Sequence, residues 1–300
     1  MKILNLGSLN FDKVYELPHF VFAGETILTE GYGEFLGGKG LNQSVALARA
    51  GAQTAHVGAV GPDGGPLREM LTQCGVDVTH LKTVETVSGH AIIQRVAGQN
   101  CIIVFGGANR CIDEADIRHA IADCAPGDIL LLQNEVSGIP EAMAEAKRHG
   151  MKIVFNASPI NAAMAHYPLE LVDCFMVNEV EGRALAGLET DDFQQILSAM
   201  VARFPNAEIV LTIGDGGVLY GKGELRAQHP CYRVPVMDTT AAGDTFCGYY
   251  LAAIAEGAPV SRALELASMA AAIAVSRSGA CPSIPTRAEV EAFAMDHRGR

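Results

Sequence analysis

The chain has 300 residues, 49% hydrophobic and 19% charged, which is ample material for a large buried core and excludes an overall disordered or coiled-coil character. With 34 acidic against 22 basic residues its formal charge is −12, so it lacks the basic footprint of a nucleic-acid binder and would be repelled by anionic lipid. Local anion binding by backbone N–H groups stays open. Met1–Gly7 is patterned as a buried strand, and Phe11–Leu36 is strand-like with a turn marked by Pro18 and Gly24. Gly40–Ala50 reads as a helix stopped by Gly51, Gln53–Val60 as a strand, and Pro66–Cys74 as a helix ending at Gly75. Gly89–Phe105 is a β-hairpin around Gly98-Gln99-Asn100. Strands over Asp128–Gln133, Lys152–Asn156, Cys174–Asn178 and Glu208–Gly214 alternate with helices over Pro140–His149 and Glu179–Ala186. Long Ala-rich helices follow over Ala242–Glu256 and Ser261–Ser276.

Strict strand–helix alternation, with strands apolar on both faces, predicts an α/β fold with a parallel sheet covered by helices. The two β excursions, roughly residues 11–36 and 89–105, are expected to form a small lid on a single core spanning residues 1–300. A small isolated sheet is marginal in water, so pairing with a second subunit is expected. No apolar stretch reaches the ~20 residues of a membrane span, and the start is too short for a signal peptide's apolar region. The eight cysteines form no C-x-x-C pair and the nine histidines no H-x-x-H pair. The expectation is therefore a cytoplasmic protein with reduced, mostly buried thiols and no Cys/His metal centre.

Two segments carry chemistry. In Gly37-Gly38-Lys39-Gly40-Leu41-Asn42, Gly33 and Gly38-Lys39 satisfy G-x-x-x-x-G-K, but Gly40 stands where a P-loop needs Ser or Thr. Adjacent glycines at a strand-to-helix junction still admit another molecule close to the backbone. A tight turn alone explains the glycines but not Lys39 and Asn42 beside them. In Asp238-Thr239-Thr240-Ala241-Ala242-Gly243-Asp244-Thr245-Phe246, a loop of small residues opens a helix whose first N–H groups, of Ala242, Gly243 and Asp244, make an anion cradle. A simple capping role for Asp244 does not account for Asp238 six residues earlier. A carboxylate beside an anion hole is the pairing that phosphoryl transfer requires.

With GSLNFD at 7–12, GGKGLNQSVALARAGA at 37–52, NE at 134–135, NEVEG at 178–182, TIGDGG at 212–217, DTTAAGDTF at 238–246 and AAAIAVSRSGACPSIP at 270–285, the chain resembles the ribokinase-like (PfkB) sugar kinases nearly end to end. The resemblance implies a three-layer α/β/α fold with a mainly parallel central sheet and a small β-sheet lid. It implies that Asn10, Asp12, Gly38, Lys39, Gly40, Asn42 and Glu135 hold the sugar, that Asp244 is the base, and that Ala241, Ala242 and Gly243 form the anion hole. Asn178, Thr212, Gly214, Asp215, Gly216, Gly217 and Gly243 would hold ATP, with Ser268 near the adenine where relatives often carry His. Glu181 would place Mg²⁺ or another divalent cation through water. Asp238, Thr240, Ala274, Arg277, Gly279 and Ser283 would surround an activating K⁺.

The implied activity is transfer of the γ-phosphate of ATP to a primary hydroxyl of a pentose, D-ribose at its 5-hydroxyl first. A nucleoside, deoxyribose, ketohexose or keto-deoxy sugar acid is the alternative acceptor, and a non-catalytic sugar-binding protein on the same fold is the remote one. Phe11, where a smaller residue is common, would reshape the sugar pocket or hint at a nucleoside base. Arg95 is the one candidate cation for an acidic sugar.

Overall fold

A computed structural model describes residues 1–297. In chain order it contains β1 (Ile3–Leu6), β2 (Asn10–Glu16), β3 (Gly31–Gly37), α1 (Lys39–Arg49), β4 (Thr54–Val60), α2 (Gly65–Gln73), β5 (Leu81–Thr83), β6 (Gly89–Val96) and β7 (Gln99–Phe105). Then come α3 (Glu114–Ala122), β8 (Ile129–Gln133), α4 (Ile139–His149), β9 (Lys152–Asn156), β10 (Cys174–Asn178), α5 (Glu179–Ala186), α6 (Phe193–Arg203) and β11 (Glu208–Thr212). The chain continues with β12 (Val218–Lys222), β13 (Leu225–His229), α7 (Ala242–Ala255), α8 (Val260–Val275) and α9 (Arg287–His297).

The large sheet has the order β13-β12-β11-β10-β9-β8-β1-β4-β5. It is parallel from β11 to β5, and every residue of β4 and β8 is buried, as expected of central strands covered on both faces. One apolar cluster joins the sheet to α3, α4, α5 and α6. Another joins its opposite face to α7, α8 and α9, which completes three layers. The expected strict alternation fails after β11. Only Gly223 and Glu224 separate β12 from β13, too few for a crossover helix, so these edge strands pair antiparallel.

The second sheet has the order β3-β2-β6-β7. Its hairpin turns at Ala97-Gly98, with φ of 46° and 81°, one residue before the predicted turn; a two-residue connection needs two left-handed positions, which leaves Gln99 and Asn100 in β7. Alternation along β2 sends Asn10, Asp12 and Val14 to one face. Phe11 points the other way, into a cluster with Leu9, Leu41 and Val45. The expectation that Phe11 shapes the sugar pocket is therefore overturned by strand periodicity. Tyr32, Ile102, Ile103 and Val104 stay more than half exposed.

All eight cysteines are free, but only Cys124, Cys174, Cys247 and Cys281 are buried, fewer than expected. Met143, Met151, Met164 and Met176 are core residues. No helix of the described residues is long and apolar enough to cross a membrane.

Candidate active site

The strand order reverses at β1. The chain runs outward from β1 through β4 to β5, then returns to β8 on the opposite side. In open α/β sheets a crevice forms outside the carboxyl ends of the strands at such a switch point. Here those ends carry Ser8 and Glu135. The Glu135 carboxylate accepts from the Ser8 hydroxyl and, at 3.3 Å, from the Lys39 N–H, which ties β8 to the start of α1. Gly7 and Gly40 pack backbone to backbone: a Cβ on Gly40 would lie 2.3 Å from the Ser8 nitrogen. This close approach, and not a direct place in the cleft, is what Gly40 supplies.

A cleft of about 380 Å³ opens between this junction and the small sheet. It gathers Asn10, Asp12, Gly38, Lys39, Asn42, Glu135 and Asp244 from four separate stretches of sequence, together with Arg95 and Phe35 from the small sheet. Asn10 is held by the buried Asn109, whose Nδ2 donates to Asn10 Oδ1 at 2.8 Å. Asp12 fits because residue 37 is glycine; a Cβ there would lie 2.0 Å from its carboxylate.

A second cleft lies on the other side of Lys39 and Asp244, lined by Asn178, Glu181, Thr212, Ala242 and Gly243 among others. Lys39 and Asp244 border both clefts. Asp244 sits in the first turn of α7 and is 9% exposed. Asn42 Nδ2 donates to its Oδ2 at 3.0 Å and Gln43 Nε2 to its Oδ1 at 2.9 Å. These contacts exist because α1 and α7 cross closely at Gly248, where a Cβ would meet Ala46 Cβ at 2.4 Å. Ala241 turns the chain into α7 with φ of 60°. A Cβ on Gly243 would meet nothing within 4 Å, so the space above that helix end is open. First-turn N–H groups have no intrahelical acceptor, although that of Ala242 bonds weakly to Thr239 O at 3.3 Å.

The electrostatics follow from burial and crowding. Burial, then the charges of Glu135 and Asp244, push Asp12 up to about 7. Burial alone would lower the Lys39 ammonium, but Asp244, Glu135, Glu181 and Asp12 outweigh it and raise it. A carboxyl group that is protonated in the fold near pH 7 but ionised in the unfolded chain above ~4 makes stability fall as pH rises between those values. Asp12→Asn is therefore expected to raise the melting temperature of the ligand-free protein at pH 8 by roughly 2–4 °C or more, and to change it little at pH 4. Equal shifts at both values would contradict the burial argument.

The predicted nucleotide residues divide. Asn178 Oδ1 caps α5 by accepting from Val180 N and Glu181 N, and Glu181 Oε2 accepts from Asn178 N, a capping box that also borders the second cleft. Thr212 borders it too. Gly214, Asp215 and Gly216 form a short turn beyond it, and Gly217 takes φ of 94° where His229 O leaves no room for a Cβ. Ser268 is buried in α8 and borders neither cleft. Asp238 Oδ1 accepts from Thr240 N and Oγ1, and Oδ2 accepts from Gly279 N at 3.1 Å, so it ties two loops together. Burial works against the charge of Asp238, but bonds from Thr240 and Gly279 and the nearby Arg95 hold its carboxyl below the usual range. In the adjoining segments Ala274 O accepts from Arg277 N at 3.1 Å, the Arg277 side chain pairs with Glu289, and Ser283 is buried. Among the described residues no group of three or more His, Cys, Asp or Glu could hold a metal, so a cation beside Asp238 or Glu181 would draw its remaining oxygens from carbonyls, hydroxyls, water or phosphate. Gln43, Asn109, Ser8 and Asn156 were not singled out from the sequence; the only signal was an Asn-Gln-Ser run on an otherwise apolar helix.

A carboxylate and an ammonium shared by two clefts, beside an open helix N-terminus, define a group-transfer site in an α/β fold. The chain belongs to the pfkB family of carbohydrate kinases, whose profile matches residues 2–287. It is 38% identical to a ribokinase of Haemophilus influenzae over 97% of both chains. Its fold is similar to a crystal structure of Cryptococcus neoformans ribokinase in complex with ADP (TM-score 0.87, 33% identity, 97% and 98% of the two chains). It is likewise similar to Arabidopsis thaliana ribokinase complexed with ribose and ATP (TM-score 0.85, 28% identity, 97% of each).

Proposed function

We infer that this chain transfers the γ-phosphate of ATP to the 5-hydroxyl of D-ribose. The observation that carries the reading is the sharing of Asp244 and Lys39 between the two clefts, which supports one carboxylate serving an alcohol from one side and a phosphate from the other. Ribose would lie in the first cleft, its hydroxyls on Asn10, Asp12, Asn42 and Glu135. ATP would lie in the second, its γ-phosphate over the open N-terminus of α7. As the hydroxyl oxygen attacks phosphorus, Asp244 takes its proton. The N–H groups of Gly243 and Asp244, with Lys39 beside them, receive the charge on the phosphoryl oxygens, and ADP departs.

A divalent cation bound with ATP would neutralise phosphate charge, and Glu181 with Asn178, at the rim of the second cleft, would orient it. K⁺ would lie beside the Asp238–Thr240 and Ala274–Ser283 loops. The small sheet acts as a lid that excludes water, a reading supported by its wall of Val14, Ile93 and Val104 along the first cleft. Its exposed apolar residues support pairing with a second copy through this sheet. Free thiols and dependence on ATP fit the cytoplasm.

ADP release measured across a panel of ribose, deoxyribose, fructose, keto-deoxy sugar acids and nucleosides tests the reading, with and without K⁺. Ribose is expected to give the highest kcat/KM and K⁺ to raise it. Phe35, at the wall of the first cleft, favours a nucleoside as the second reading, and a nucleoside preference in that panel would replace ribose.

A further inference from the structure

A buried chain of polar side chains runs through the sheet to Asp244 and meets the clefts only at Asp244 and Asn156. Alternation along parallel strands turns Asn5 of β1 and Gln133 of β8 toward α1. Asn5, Gln133, Gln43, Ser44 and His56 are all fully buried. Gln43 Nε2 donates to Asp244 Oδ1 and, at 3.2 Å, to Asn156 Oδ1. Gln133 Nε2 donates to Gln43 Oε1 at 2.7 Å and to Asn5 Oδ1 at 2.8 Å. Asn5 Nδ2 donates to Gly40 O at 2.9 Å and to Ser44 Oγ at 2.8 Å.

The two ends of a carboxamide are alike in shape and opposite in polarity, so the partners decide which end faces where. Gly40 O can only accept, which fixes the NH₂ of Asn5 toward it and the oxygen toward Gln133. The NH₂ of Gln133 must face that oxygen, and it also claims the oxygen of Gln43. Only the NH₂ of Gln43 is left for Asp244. From the other side, Met176 O accepts from Asn156 Nδ2 at 2.8 Å, which turns Asn156 Oδ1 toward the same NH₂. Two backbone carbonyls thus dictate one orientation. Ser44, already accepting from Asn5, donates to His56 Nδ1, and His56 donates from Nε2 to Gly7 O. Burial holds His56 down at about 4, so it is neutral. Gln133 Oε1 is left buried without a partner, in space kept free by Gly7. An apolar side chain would spare that oxygen but leave Asn5 Oδ1 and Gln43 Oε1 buried without a donor, so Gln133 both completes and orients the network.

We propose that Gln43, oriented by Gln133 and Asn5, is a positioning residue that presents only N–H to Asp244 and thereby holds its carboxylate aimed at the acceptor hydroxyl. The proposal rests on the reading of Asp244 as the base. The other titratable groups around Asp244 are Lys39 of α1, Asp12 of β2, Glu135 after β8, and Cys247 on its own helix, with Glu181 of α5 beyond Lys39.

The test is Gln133→Met in the full-length enzyme, a change of similar size that removes both donors without reaching either cleft. The expected result is a fall in kcat for ribose of about tenfold with both KM values within about threefold. Leu131→Ala, on the same strand and face, controls for lost packing: its melting temperature falls while kcat stays within about twofold of wild type. An unchanged kcat in Gln133→Met, or an equal fall in Leu131→Ala, overturns the proposal. Should Gln133→Met not fold, NMR of the wild type decides. The side-chain NH₂ protons of Gln43 and Gln133 should exchange slowly, and those of Gln43 should shift in Asp244→Ala; fast exchange or an unresponsive Gln43 overturns it. Normal turnover by Asp244→Asn removes the base reading itself, whereas an inactive Asp244→Asn beside a normal Gln133→Met removes only this proposal.

Discussion

Asp244→Asn should lower kcat for ribose phosphorylation by about 10²–10⁴-fold, the contribution of a positioned general base, with KM for ribose and ATP within about threefold. Both oxygens of Asp244 accept from amide NH₂ groups, of Asn42 and Gln43, and its neighbours on the cleft walls are sugar-side groups that the substitution leaves in place. An asparagine keeps the shape, loses the proton acceptor, and sets its own NH₂ against one of those donors. Asp244→Ala removes that conflict and should be as inactive. Turnover within tenfold of wild type by either variant would show that the proton leaves by another route.

Gly243→Ala should be folded and inactive. The methyl group would meet no protein atom within 4 Å, and Gly243 is not among the residues with positive φ, so no strain opposes it. Alanine in a helix is favoured over glycine by roughly 0.5–1 kcal/mol, which predicts an unchanged or slightly raised melting temperature. The methyl would occupy the space proposed for the transferred phosphoryl group and keep it from the N–H donors, at a cost of about 10²–10³-fold in kcat. Gly248 in the same helix makes the contrast, since there a methyl would strike Ala46 and force α1 from α7. Thermal melts and steady-state rates on Gly243→Ala separate the two effects; full activity would mean that the phosphate lies elsewhere.

Much of this was legible in the chain. The central strands are short apolar runs, and the glycines at 37–40 and 243 stand where the backbone must come close to something. The period of two along β2 already separated Asn10 and Asp12 from Phe11; reading Phe11 as a pocket residue ignored it. The helices α3 and α6 were missed although Asp113 and Asp192 cap them and their buried residues, Ile117, Ala120 and Ile121 in one and Ile196, Leu197, Met200 and Val201 in the other, keep helical spacing, so the signal was present and went unread. Of the β12–β13 pair only β13 hid behind polar, largely exposed residues; β12 begins with a buried apolar run over residues 218–221. Gln43, Gln133 and Asn5 were invisible for a different reason. Their meaning lies in contacts between residues up to 201 positions apart, and one polar residue in an apolar strand carries no sign of its partner. Arg95 was singled out as a cation and does border the first cleft, whereas the bordering by Phe35 depends on how the second sheet sits over that cleft.

The most direct measurement is ³¹P NMR of ribose and ATP turned over by the wild-type enzyme. A base that meets the γ-phosphate at the junction of the two clefts predicts one new phosphomonoester, on the 5-oxygen of ribose, formed in step with ADP. Phosphate appearing on the anomeric oxygen, or as inorganic phosphate at the rate of ADP release, would contradict the account.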